Sequence, residues 1–270
     1  MKKIRLMVAY DGGRYHGWQI QPTVRTVEGV LTEACAMMLD VEPSALKVQG
    51  ASRTDAGVHA VGQVAHVEFD APRRVWDFVR ALNALTDDDV CVVRAEEVSL
   101  DFHARHSARG KRYRYRMWNH KFAHPLELER TWHVRAKLDV ELMRRAAGKL
   151  VGEHDFSAFR ASDCASATTV RELTRVELDV DGPMLTLWVE GTAFLKYMVR
   201  ILSGTLVDVG RGQLTLGDLD DLLAGRASRA EGGQTAAAHG LTLMEIFYPD
   251  FPWSAPLPHL GGAPMPEGLR

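Results

Sequence analysis

The apolar positions of this chain change period several times, and each change predicts an element. KIRLMVAY, near the start, is a short apolar-rich run with the look of a strand. Val27, Val30, Leu31, Ala34 and Met38 then recur at the three-and-four spacing of one helix face. LKVQG and GQVAHVEF predict strands around the loop GASRTDAGVHA, residues 74–85 predict a helix, and VCVVRAEEV predicts a further strand. The second half runs through the same order with little likeness in sequence. RYRYRMW reads as a strand and DVELMRRAAGKL as a helix, and two β-rich runs meet at Asp181-Gly182, a dipeptide suited to tight hairpin turns. Leu195, Met198, Val199, Leu202 and Leu206 form the next helical stripe, and LTLMEIFY closes the half as a strand.

Two successive βαββαβ orders predict an α+β fold. The expected architecture is two tandem ferredoxin-like units, with helices layered on antiparallel sheets that lie side by side and leave a cleft between them. The predicted divisions are 1–103, 104–248 and a tail at 249–270 rich in proline and glycine.

Composition narrows the class without naming a chemistry. With 46% hydrophobic and 25% charged residues, the 270-residue chain has globular rather than disordered composition. No run approaches the roughly 18 apolar residues needed to span a bilayer. The lysines at the start resemble those of a signal peptide, but Arg5 and Asp11 interrupt the apolar stretch that should follow. Cys35, Cys91 and Cys164 are far apart and form no CxxC pair, which argues against a disulfide framework or a zinc knuckle. The expectation is a cytoplasmic protein with no membrane association.

The net charge of −2 conceals a strong local bias. Between His103 and Lys121 there are seven Lys or Arg residues and no acid, while Asp87, Asp88, Asp89, Glu96, Glu97 and Asp101 crowd the segment before it. In RYRYR the period of two puts Arg112, Arg114 and Arg116 on one face and Tyr113 and Tyr115 on the other. Guanidinium groups suit phosphates and tyrosine rings can stack on bases, so the stretch has the chemistry of a nucleic-acid surface. A solvated strand whose tyrosines pack on the core would show the same pattern.

Cofactor signals are missing. No GxGxxG or phosphate-binding loop is present, so no nucleotide cofactor is expected. His103 and His106 have helix-face spacing for a metal, but no acid or cysteine partners them; His59 and His66 fall on or beside a predicted strand and read as structural. The loop at 50–60 is left with one acid, Asp55, two residues after Arg53. An isolated Asp beside small residues is ordinarily a turn residue that bonds its own backbone.

The residues around it carry more. RTDAGVHA resembles the signature loop of the tRNA pseudouridine synthases of the TruA type, in which the Asp is catalytic. YDGGRYHGWQIQP, from Tyr10 to Pro22, is similar to that family's opening motif, and DFHARHSARGKRYRYRMWNH, from Asp101 to His120, to its second long block. EHDFSAFR, FLKYMVRILSG and AAHGLTLMEIFYP follow in the family's order, so the resemblance spans residues 4–249. Ser52 stands where glycine is common, and the tail has no counterpart.

The resemblance implies a pseudouridine synthase fold and a homodimer that isomerises uridine at tRNA positions 38, 39 and 40, in the anticodon stem-loop, without a cofactor. It implies that Asp55 is the catalytic acid, acting at C1′, at C6, or by promoting a glycal-type elimination. Arg200 would be its charge partner, Tyr113 would stack on the uracil, and Arg53 would hold the flipped-out nucleotide. Arg14, Arg109, Lys111 and Arg112 would bind RNA phosphates. Two other readings of the residues remain: an RNA-binding protein without chemistry, and a pseudouridine synthase with another RNA target.

Overall fold

The structure is a computed structural model that describes residues 1–71 and 74–249. The chain forms two compact units, one made of Met1–Arg109 with the segment from Leu243 onward, the other of Gly110–Thr242.

The first unit begins with β1 (Lys2–Tyr10), which is buried from Lys3 to Val8 because strands pair with both its edges and side chains cover both its faces. Burial there extends to two cations. Lys3 Nζ donates to the Phe102 carbonyl at 2.8 Å and pairs with Glu68 at 2.9 Å, and Arg5 pairs with Glu96 at 3.0 Å. Helix α1 (Val27–Leu39) is capped by Thr26, whose side chain accepts from the Gly29 N–H, and it stops at Asp40, a left-handed residue with φ 56°. Of the predicted stripe, Val27, Leu31, Ala34 and Met38 are buried and Val30 is half-buried. β2 (Gln49–Gly50) is shorter than the run LKVQG predicts. β3 (His59–Phe69), α2 (Val75–Leu85) and β4 (Val90–Val98) fall where the pattern puts them, with Phe78 and Leu82 turned into the core.

In the second unit β5 (Gly110–Asn119) is followed by a short parallel neighbour, β6 (Trp132–Val134), and by α3 (Val140–Lys149), which Asp139 caps by accepting from the Leu142 N–H at 2.9 Å. β7 (Gly152–Asp155), β8 (Val170–Asp181) and β9 (Met184–Gly191) complete an antiparallel order β5-β9-β8-β7. The β8–β9 hairpin pairs Asp181 with Met184 across Gly182-Pro183, one residue on from the predicted dipeptide, with Gly182 at φ 54°. Two helices follow, α4 (Met198–Gly210) and α5 (Leu216–Leu223). The stripe predicted for α4 describes only part of it. Every residue of α4 except Arg200 is buried, so the helix is enclosed rather than one-sided.

The last strand, β10 (Leu241–Phe247), belongs to the first unit from Leu243 on, where it lies beside β3. The first unit's sheet therefore runs β4-β1-β3-β10, with β2 also paired to β3 through Gln49–His66 and Gly50–Ala65. The tail from Asp250 lies outside the described residues. Among the described residues no helix is long and apolar enough to cross a membrane.

Candidate active site

Asp55 sits half-buried on the loop between β2 and β3, and that loop is tied down on both sides. The tie to its own strand comes from Gln63, a fully buried side chain of β3. Its Oε1 accepts from the Ser52 N–H at 3.2 Å and its Nε2 donates to the Ser52 carbonyl at 2.7 Å, while Ala51 N–H donates to the Val64 carbonyl at 2.7 Å. A buried amide that meets both polar groups of one residue fixes that residue's peptide planes. The turn itself closes when the Val58 N–H donates to the Asp55 carbonyl at 3.1 Å, with Gly57 at φ 77°.

The opening motif supplies the other side. Trp18 N–H donates to the Thr54 carbonyl at 3.0 Å, Gly57 N–H donates to the Tyr15 carbonyl at 3.2 Å, and the Tyr10 and Thr54 hydroxyls lie 2.7 Å apart. Backbone this close leaves no room for side chains. A Cβ on Gly12 would stand 2.0 Å from the Val58 carbonyl oxygen, and one on Gly17, which is at φ 91°, would stand 2.6 Å from that of Thr54. The motif is itself anchored: the Tyr15 hydroxyl donates to Asp89 at 2.5 Å, Arg25 pairs with Asp89 at 3.0 Å, and the Arg25 guanidinium lies 4.5 Å from the Tyr15 ring centre. Two of the family-like blocks thus form one framework whose product is the fixed position of residues 52–58. Arg53 and Arg14 are exposed on it, and Arg109, also exposed, is held at the end of the unit by its N–H to the Phe247 carbonyl at 2.7 Å.

The remaining site residues of the sequence analysis belong to the second unit. Tyr113 on β5 is 6% exposed and meets Phe194 edge to face at a centroid distance of 5.0 Å. Tyr115, on the same face, is a core residue whose hydroxyl donates to the Ala237 carbonyl at 2.8 Å. The alternation predicted from RYRYR is present, with tyrosines buried and arginines half-buried.

Those arginines are engaged within the protein. Arg112 pairs with Glu190 at 2.8 Å and Arg116 with Glu127 at 2.9 Å, and burial, followed by the neighbouring Arg116 charge, lowers the pKa of Arg114 to about 10. Lys111 is half-buried at the start of the strand. Glu190 lies opposite Arg112 on β9, a cross-strand partner 78 residues away that no local pattern reveals.

Arg200 is placed with care. Its Nε donates to the Ala236 carbonyl at 2.8 Å, its own carbonyl accepts from the Ala236 N–H at 3.1 Å, and its guanidinium lies 4.8 Å from the Tyr197 ring centre. Tyr197 precedes the helix in the left-handed region at φ 64°, a conformation uncommon for a bulky residue and held here by its surroundings.

The histidines separate as the sequence suggests for two of them. His59 and His66 are buried, the first accepting from the Gly12 N–H at 3.1 Å and the second from the Ala104 N–H at 3.2 Å. His103 and His106 lie in a turn segment rather than a helix, and His103 Nδ1 accepts from the N–H groups of Arg105 and His106. Glycines 12 and 17 and the buried amide of Gln63, which hold the Asp55 loop, are positions that residue chemistry alone misses. The two glycines leave a trace in the spacing of YDGGRYHGW, and Gln63 leaves none there.

A family model described as tRNA pseudouridine synthase matches residues 6–107 and 146–249. The chain is 45% identical over 250 residues to tRNA pseudouridine synthase A of Geobacter sp. (strain M21), covering 93% of this chain and 100% of that protein. It is 46% identical over 255 residues to tRNA pseudouridine synthase A of Myxococcus xanthus, covering 93% and 94%.

Proposed function

Because this chain belongs to the tRNA pseudouridine synthase family, isomerases that act on tRNA, we propose that it converts uridine to pseudouridine at positions 38, 39 and 40 of the anticodon stem-loop, using Asp55 and no cofactor. The observation that carries this reading is the double anchoring of the Asp55 loop, by Gln63 from β3 and by Tyr10, Tyr15 and Trp18 from the opening motif. A turn residue with no task beyond capping its own backbone does not call for two glycines and a buried amide to hold it.

The chemistry is redox-neutral. The N1–C1′ bond breaks, the uracil turns, C5 bonds to C1′, the C5 proton leaves to solvent, and N1, which carries no proton in uridine, takes one up in the product. An ionised carboxylate can begin this by attack at C1′, by attack at C6, or by promoting loss of the 2′ proton toward a glycal. Arg200 is the cation assigned to keep the acid ionised, since an opposite charge nearby favours a carboxylate over its acid. Tyr113 is assigned to stack on the extruded uracil, and Arg53 to help hold the flipped-out state; extrusion itself costs unstacking free energy that these contacts offset. Arg14, Arg109, Lys111 and Arg112 are assigned to phosphates, and Arg112 does so at the expense of its bond to Glu190. The enzyme is proposed to act as a cytoplasmic homodimer.

The purified chain, in EDTA and without added cofactor, should release tritium from tRNA carrying 5-tritiated uridine, and the product should carry pseudouridine at 38, 39 or 40. Release mapped to other positions would move the assignment to a different RNA site. No release would leave an RNA-binding protein without chemistry.

The framework itself can be tested with Gly17→Ala. The added methyl meets the Thr54 carbonyl and the backbone is already at a positive φ, so the loop must shift. Displacements on the order of 1 Å at a reacting group cost about 100-fold. The expected result is a fall of that size in kcat/KM for tritium release, with tRNA affinity changed much less.

A further inference from the structure

A second polar site lies inside the first unit, beside the Asp55 loop but not lined by Asp55. It is a cavity of about 330 Å³ whose wall includes Lys47, Arg53, His103, Arg105, His106 and Glu28. That volume is at the lower end of the roughly 300–1,000 Å³ range of small-ligand clefts, enough for one nucleotide-sized group. Among the described residues, Lys47, Arg53 and Arg105 form no ion pair, whereas Arg25, Arg112, Arg116 and Lys149 each pair with a carboxylate. Three such cations around one hollow repel one another, and a bound anion would relieve this.

The single acid of the wall has a different character. Glu28 is half-buried at the start of α1, accepts from the Ile20 N–H at 2.9 Å, and is approached by the Trp18 indole. Burial nonetheless holds its carboxyl above the ordinary range, against the pull of Ile20, Arg53 and Trp18 in the other direction. A carboxylate offers about four acceptor positions, so after these two donors it retains capacity for a hydroxyl.

We propose that this cavity seats one ribonucleotide of the substrate strand next to the extruded uridine, with its phosphate on Lys47, Arg53 and Arg105 and its ribose 2′-hydroxyl donating to Glu28. The seat reads the sugar and not the base, which lets it serve RNAs of different sequence while distinguishing RNA from DNA. Because Arg53 belongs both to the seat and to the Asp55 loop, filling the seat braces that loop while the neighbouring nucleotide is out of its stack. The inference rests on the chain acting on RNA.

The test uses the full chain and anticodon stem-loop RNAs that carry a single 2′-deoxy substitution at each position in turn. With the wild-type protein, one position adjacent to the target should bind about tenfold more weakly, the order expected for losing one hydrogen bond to a charged group. In Glu28→Ala, which has no side-chain acceptor, that penalty should vanish, leaving the deoxy and ribo forms equal. Lys47→Ala/Arg105→Ala, which alters two exposed side chains, should raise KM for RNA more than it lowers kcat and reduce the slope of log affinity against log salt by about one. A deoxy penalty that survives in Glu28→Ala, or a salt slope and KM unchanged in the double variant, would overturn the seat. Neither result would touch the catalytic assignment, which is read separately from loss of turnover in an Asp55 variant.

Discussion

Asp55→Asn should abolish tritium release from 5-tritiated tRNA while leaving tRNA binding within a few-fold of wild type. The substitution keeps size and shape but removes the charge, so a loop held by backbone hydrogen bonds to Trp18, Tyr15 and Val58 should stay where it is. What is lost is the one carboxylate of residues 52–58. Removing a nucleophile or its activating base from other enzymes costs on the order of 10⁴–10⁶ in turnover. A loss of at least 10³ is expected here, since binding and desolvation of the extruded base contribute whatever remains. Single-turnover release with enzyme in excess separates chemistry from product dissociation. Turnover within tenfold of wild type in Asp55→Asn would remove Asp55 from the mechanism and favour a base elsewhere.

Arg200→Ala is expected to lower kcat by about 10²–10³, the range for deleting one preorganised electrostatic partner, with a smaller effect on RNA affinity. Arg200 is the sole residue of α4 that is not buried, and its Nε is bound to the Ala236 carbonyl, so its guanidinium is fixed before substrate arrives. Truncation would also remove one of the two hydrogen bonds that tie Ala236 to Arg200, and a purely structural role would therefore depress activity as well. Arg200→Lys separates the two. Lysine keeps the charge but not the planar fork, so it should recover part of kcat if charge matters. Equal losses in kcat and affinity for Arg200→Ala would identify a phosphate contact instead.

The parts of the fold that depend on short-range periodicity were open to reading. β1, α1, α2, β4, β5 and α3 occupy the predicted stretches because each has an apolar face of the right period and, for α1 and α3, a capping Thr26 or Asp139. β2 is two residues long because only Gln49 and Gly50 pair with β3, while Lys47 and Val48 stay outside the ladder. The enclosure of α4 could not be read, since a helix buried on all sides lacks the polar face that a stripe is measured against. β6, β7 and α5, three, four and eight residues long, are too short to set up a clear period in the sequence.

For the site, the acid stood out by resemblance, while its supports did not. Gln63 is one of several polar residues of β3, and only its burial beside Ser52 shows what it does. Arg112 looked available for phosphate because its partner, Glu190, comes from a different strand.

The return of β10 to the first unit bears on how the protein is made. The first unit is discontinuous in the chain: its sheet gains the strand beside β3 only after residues 241–247 have been synthesised. A nascent polypeptide that has emerged through Arg109 therefore carries β3, the strand next to the Asp55 loop, with part of one edge uncovered, and exposed edges invite wrong pairing. Activity should accordingly appear late in translation, and a chain stopped before Leu241 should be caught by chaperones or proteases.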